Sequence, residues 1–245
     1  MPPDWADTDT SCTPADGRTH VRLPRRAATQ PCRLPGGCVV AFALLAVVAV
    51  QPPDSWLRRL DAAVTGTIAG SRTTAAIRAA RVVSALAEPG PAVGVLAAAA
   101  AVAVRRVGWQ AGCGPPLAVA VGMMARRKLS AVVARQRPPS EFWLAEPEGF
   151  SLPSKHTALA ALTAGACASA LGASYAASHA AALLAAAGVG ASRVCLGVHC
   201  PSDVLAGWLF SAGWLDLYRW LEPQPDASAT GTGGLVYRGA ERRSP

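Results

Sequence analysis

Residues 179–220 read HAAALLAAAGVGASRVCLGVHCPSDVLAGWLFSAGWLDLYRW. Two apolar blocks, about His179–Leu196 and Ser202–Trp220, flank a polar corner that holds Arg193, His199 and Asp203. A helix rises about 1.5 Å per residue, so each block nearly matches a bilayer core of about 30 Å. The apolar residues come in runs, not in the alternation of a half-buried strand. The stretch therefore predicts two membrane helices that meet at a corner too polar to lie in lipid.

Working outward, the same pattern repeats. An apolar segment at about Thr157–Ala173 precedes the first block, and another runs from Pro115 through the basic Arg126-Arg127-Lys128 to Ala134, before Arg137-Pro138-Pro139. A further one, Pro89–Val104, ends at Arg105 and Arg106, and the first apolar run is Cys38–Val50. That run, after Arg18, Arg22, Arg25, Arg26 and Arg33, also fits a signal-peptide core. The number of spans that follow favours a retained first span. Between them, residues 52–88 place Leu57, Leu60, Val64 and Ile68 on one helix face, as expected of a helix lying in the interface. The expected fold is all-α, a polytopic membrane helical bundle of about six transmembrane helices. Its domain would be residues 36–221, between a disordered cytoplasmic arm (residues 1–35) and a disordered tail (residues 222–245).

Six spans put both termini on one side, and the positive-inside rule makes that side cytoplasmic through the N-terminal arginines, Arg105, Arg106 and Arg219. Arg58, Arg59, Arg72, Arg78 and Arg81 then fall outside, against the rule. With Trp208, Trp214 and Trp220 as interface anchors, loop 138–155 and the corner at His199 meet on the extracytoplasmic face of a plasma membrane. The composition agrees: 51% of residues are hydrophobic and 16% charged. A net charge of +8 would suit nucleic acid, but the arginines fall between apolar blocks with no interleaved aromatics, which excludes that partner. Alanine and arginine bias hints at a bacterial source. Seven cysteines form no CxxC pair, and the four histidines do not group with them at ligand spacing, so no metal cluster is expected. A bridge between Cys195 and Cys200 stays open.

Three polar clusters converge on the outer face: Ser192–Asp203, Gly149–Thr157 and Arg135–Pro139. Ionisable residues at a membrane boundary are costly enough to mark a functional site. Pro201 suits the first turn of the last helix, which places Asp203 where the helix dipole favours a carboxylate. Four residues after His199, Asp203 can hold the ring Nδ1–H and leave Nε2 to attack. Arg193 offers a planar fork to phosphate oxygens. Ser154 reads as the N-cap of the 157–173 helix, whose free N–H groups make an anion site. His156, in its first turn, is placed as general acid, and Arg135 and Arg137 add charge opposite.

The pattern Ser-Arg, five residues, His, three residues, Asp (Ser192 to Asp203) resembles the third signature of the type 2 phosphatidic acid phosphatase superfamily. Pro153-Ser154-Lys155-His156 resembles its second signature, Pro-Ser-Gly-His, and Arg137-Pro138 the end of its first, Lys, six residues, Arg-Pro. The similarity covers roughly residues 55–220. It implies a six-span helical fold, a pocket like that of the larger, soluble vanadium haloperoxidases, a phosphohistidine intermediate on His199, and His156 protonating the lipid alkoxide. It also implies no metal or other cofactor, and a membrane lipid phosphate or diphosphate as substrate: a polyprenyl phosphate, phosphatidic acid or phosphatidylglycerol phosphate. Two positions depart from the pattern. Ser130 stands where the family has lysine, with Arg127, Lys128 and Arg135 as alternative sources of that charge, and Lys155 replaces the signature glycine. The site expected is His199, His156 and Asp203 for catalysis, with Arg193, Arg137, Ser154, Lys155, Arg135 and Lys128 for substrate. The alternative is a weak or inactive relative that only binds lipid phosphates.

Overall fold

The structure, a computed structural model, describes Val40, Phe42, Ala43, Ala46, Val47, Pro52 and residues 54–221. Residues 1–35 and 222–245, expected as arm and tail, lie outside the described residues. Over the described ones the chain is all-helical, with α1 (Trp56–Gly70), α2 (Thr74–Ala85), α3 (Pro89–Val107), α4 (Trp109–Val133), a 3₁₀ turn (Ser140–Phe142), α5 (Lys155–Ala170), α6 (Tyr175–Cys195) and α7 (Pro201–Leu221). Of the first apolar run, the described residues are helical, and the buried Phe42 packs edge-on against Phe210 of α7, ring centroids 6.1 Å apart.

Most starts are written locally. Ser55, Thr73, Ser154 and Ser174 each turn a side-chain oxygen onto a free N–H of the first turn, at Arg58, Ala76, Thr157 and Ala177. Pro89 and Pro201 open α3 and α7, where the missing N–H costs nothing. The apolar segments expected from Pro89 onward are all helices here, with two starts well ahead of expectation: α6 begins at Tyr175 and not at His179. α4 begins at Trp109, so Pro115 and Pro116 lie inside it and do not open it. Each removes one main-chain donor, and the helix continues because packing against its neighbours holds it.

α5 sits at the centre, packed on α3, α4, α6 and α7. Ala158, Leu159, Ala161, Leu162 and Ala166 bury it on nearly every side, the signature of an interior helix. α7 comes very close to it at Gly207, where a Cβ would stand 3.1 Å from Thr157 Cβ and 3.2 Å from the Ser154 carbonyl. This approach sets the corner before α7 directly against the corner before α5. Among the described helices, α3 alone is long and apolar enough to cross a membrane by length and composition.

Of the expected stripe on α1, Leu60 is exposed and Leu57 is buried, and Leu57 shares the inward face with Asp61 and Thr65. The Asp61 carboxylate meets an arginine from across the core.

Candidate active site

The corner between α6 and α7 forms first from local rules. α6 ends in a turn in which Gly197 takes φ +75°, with Gly197 N–H bonded to Val194 O and Val198 N–H to Arg193 O. Only glycine enters that region freely. The reversal buries Val198 and His199, the latter 1% exposed. Asp203, in the first turn of α7, reaches back to accept the Cys200 N–H at 2.7 Å. Its carboxylate is fully buried and satisfied three more ways: by Ser151 Oγ at 2.6 Å, by Arg135 Nη1 at 2.6 Å, and by the His199 ring, with Nδ1 3.5 Å from Oδ2. That last approach is long for a hydrogen bond. It still puts the ring proton on Nδ1 as the favoured tautomer.

The opposite ring nitrogen, Nε2, faces Arg137 Nη1 at 3.3 Å. Arg137 is held by carbonyls alone: Val198 O at 2.7 Å, Glu148 O at 2.6 Å, Gly149 O at 2.9 Å and Phe150 O at 3.3 Å. On its outer side a cavity of about 650 Å³ is lined by Arg137, Trp143, Glu146 and Phe150. Burial lowers the pKa of Arg137, with Asp203 and Glu148 opposing. Burial also takes the pKa of His199 down to about 4, a shift that Asp203 opposes and that Arg137 and Arg193 reinforce. At neutral pH the imidazole is therefore uncharged.

Arg193 is buried in the last turn of α6, with Nη1 on Ser84 Oγ at 2.7 Å and a buried Nε that has no partner. It lies within electrostatic reach of both His199 and His156. His156 is buried at the start of α5, its Nε2 2.9 Å from Glu88 Oε1. Glu88 occupies the cap position of α3 but makes no cap bond. Ser154 caps α5, and its N–H donates to the Asp203 carbonyl at 3.1 Å, tying the two corners together.

Three expected ligands face other partners or solvent. Arg135 follows Ala134, which ends α4 in the left-handed region at φ +48° and throws the next side chain inward. There its guanidinium is spent on Asp203 and on Asp61, each at 2.6 Å. Burial opposes that charge, yet the two carboxylates outweigh it and hold the pKa of Arg135 above its ordinary value. Lys155 pairs with Glu148 at 2.6 Å on the outer surface. Lys128 is exposed on α4, as is Arg127. None of the three candidates for the missing lysine charge occupies the pocket as a free cation. Arg126 does. It is buried, and its Nε and Nη2 both donate to the Pro153 carbonyl, the residue before Ser154. Arg126 lies one helical turn before Ser130, on the same face of α4. Asking for a basic residue at four-residue spacing would have found it. Asp61, Glu88 and Ser151 carried no such signal, because each is a single polar residue whose partner is distant in sequence. Cys195 and Cys200 are both free thiols.

With this geometry in hand, residues 111–225 match the model of the PAP2 superfamily. No curated protein matches the chain. Among solved structures, the chain is similar to the transmembrane PAP2 type phosphatidylglycerolphosphate phosphatase from Bacillus subtilis. The TM-score is 0.66 at 22% identity, over 76% of this chain and 94% of that one. At that identity the likeness concerns the fold. Residues 111–225 of this chain thus resemble the PAP2 superfamily, within an all-helical fold similar to that of the transmembrane phosphatase.

Proposed function

We propose that the chain is a membrane lipid phosphatase that works through a phosphohistidine on His199. The observation that carries this reading is an imbalance of charge. Arg193 is buried and Arg137 half-buried near His199, Arg126 is buried within reach of Arg137, and none of them has a carboxylate within ion-pair distance among the described residues. Buried cations left without acids are costly, and a phosphate dianion seated among them would remove that cost.

In the proposed cycle, Nε2 of His199 attacks phosphorus while Asp203 keeps the proton on Nδ1. The bond from phosphorus to the lipid oxygen breaks, its electron pair goes to that oxygen, and His156 supplies the proton. Burial and then Arg193 lower the pKa of His156, and Glu88 opposes them, favouring the imidazolium form that donates. Water then gives a proton to His156 and attacks the phosphohistidine, releasing phosphate and restoring His199. Arg126, Arg137 and Arg193 offset the charge spread over the transferred group, a job that positioning and electrostatics can do without a metal.

A lipid substrate has its own support. A cavity of about 500 Å³ between α3, α4 and α5 is lined by apolar residues, among them Val93, Leu96, Pro116, Met123 and Leu159, with Lys155 as its one charged lining residue. It runs to Pro89, next to the Glu88 that pairs with His156. A hydrocarbon chain there would present its ester oxygen to the acid. We place the site on the extracytoplasmic face of the plasma membrane in a six-span arrangement; the exposed Val93, Val95, Leu117, Val121 and Met124 on α3 and α4 support contact with lipid, and Arg105, Arg106 and Arg219 support the side. Polyprenyl phosphates or diphosphates, phosphatidic acid and phosphatidylglycerol phosphate are the candidates.

The test is phosphate release from these lipids by detergent-purified protein in EDTA. Turnover should fall by roughly 10⁴-fold or more in His199→Ala. Binding of the lipids with no release from any of them would instead make the chain a lipid-phosphate binder.

A further inference from the structure

Asp203 does not act alone. Asp61, from α1 and outside residues 111–225, accepts from Arg135 Nη2 at 2.6 Å, from the Ser202 N–H at 3.1 Å and from Ser202 Oγ. Arg135 in turn spans from Asp61 to Ser202 Oγ and Asp203 Oδ1, both at 2.6 Å. The side chains of Asp61, Arg135 and Asp203 are 3%, 2% and 0% exposed. A run of buried groups therefore reaches from α1 across the core to the histidine.

Its charge is uneven. Two carboxylates share one guanidinium, so the cluster carries one net negative charge next to His199. An Arg135–Asp203 pair by itself would be neutral and would present little field to the ring. The neighbouring Cys200 thiol is pushed up to about 12 by burial first, with Asp203 and Asp61 adding to the shift and Arg135 opposing it. A phosphorylated imidazole that keeps its Nδ1 proton bears positive charge, so a net negative charge behind Nδ1 favours the state that forms during transfer.

We infer that Asp61 and Arg135 are positioning residues: acting together behind Asp203, they set the net negative charge of the cluster that faces His199. This inference rests on His199 being the nucleophile. It assigns Arg135 to the histidine side of the site and not to the phosphate.

Two variants separate this role from simple bracing. Asp61→Asn leaves the cluster neutral, whereas the double variant Asp61→Asn with Arg135→Gln returns it to one net negative charge while removing more hydrogen bonds. The first readout is independent of turnover: ¹⁵N shifts of the His199 ring in histidine-labelled protein in detergent. Asp61→Asn should weaken the preference for the Nδ1–H tautomer and move the titration of His199 to lower pH, and the double variant should restore both. In phosphate release from a synthetic lipid phosphomonoester, kcat should drop roughly tenfold in Asp61→Asn with KM within about twofold, and return to within about threefold of wild type in the double variant. An unchanged His199 spectrum in Asp61→Asn, or a double variant worse than the single one on both readouts, overturns the inference. If wild type turns over and His199→Ala does not, the phosphatase reading survives that outcome. If the spectra shift as expected but wild type releases no phosphate, the positioning role stands and the phosphatase reading fails.

Discussion

The paired helices α6 and α7 carry a polar cluster at each end, and the two are built on opposite plans. At the end described above, Arg193 of α6 and Asp203 of α7 flank His199, and the nearby arginines outnumber the acids available to them. At the other end, Asp216 of α7 sits between His179 Nε2 and Tyr175 Oη, 2.9 Å from each. Arg219 donates to Ser178 Oγ at 2.7 Å and Ser169 Oγ at 3.2 Å, and lies over the Tyr175 ring. There an acid stands at the centre of the cluster, and the cation is bonded to neutral hydroxyls and an aromatic face. A cluster that only joins two helices can be closed by its own members. A cluster that must receive an anion has to keep donors and positive charge in reserve, at a cost to stability.

The contrast is broken most directly by removing one arginine from each end. Arg193→Ala should lower kcat/KM by roughly 10²–10³-fold, the scale of losing one charge-stabilising donor, while Arg219→Ala should change it by less than about twofold. Equal losses at both ends would mean that the arginines serve the bundle and not the phosphate. A smaller effect sharpens the cation excess itself. Arg126→Ser should cost roughly tenfold in kcat/KM, and adding Ser130→Lys in the same chain should recover most of it by restoring a cation one turn along α4. Failure of the added lysine to rescue would show that Arg126 acts only by bracing the Pro153 carbonyl.

The pH dependence has two limbs. His199 is held below its ordinary value of 6.5, at about 4, and only the uncharged ring can attack. Activity assigned to His199 is thus fully present above pH 6.5 and lost as pH falls through about 4. The acid limb of kcat/KM should be half-complete near pH 4, and the opposite limb belongs to the protonated His156, whose pKa burial lowers from 6.5. An acid limb centred near 6.5 would mean that the His199 ring is more hydrated than its burial implies. The smallest effect belongs to the exposed lysine: Lys128→Ala should leave kcat/KM within about twofold of wild type.

Much of the site is legible in the chain, and what is legible is local. His199 and Asp203 are four residues apart across a helix start, Ser154 caps the helix that carries His156, and Gly197 reverses the chain between α6 and α7. Each relation lies within a turn or two, where backbone geometry leaves few choices. Arg135 and Arg137 show where that ends. Two residues apart in the same run, they look interchangeable as phosphate ligands, yet one is closed by two carboxylates and the other faces His199 through carbonyls. Nothing within the run distinguishes them. The residue that decides is Asp61, 74 positions before Arg135 and 141 before Ser202.

The sequence by itself determined the helical segments, the corner before α7 and the histidine–aspartate pair, because apolar runs and short spacings act through the backbone that joins them. Tertiary structure alone decided which cations remain unpaired. Arg126 came inward while Arg127 and Lys128 faced out, Glu88 met His156, and Asp61 took Arg135. Those pairings depend on how helices far apart in the chain rotate and pack, since a buried charge takes whichever partner the packing brings within about 3 Å.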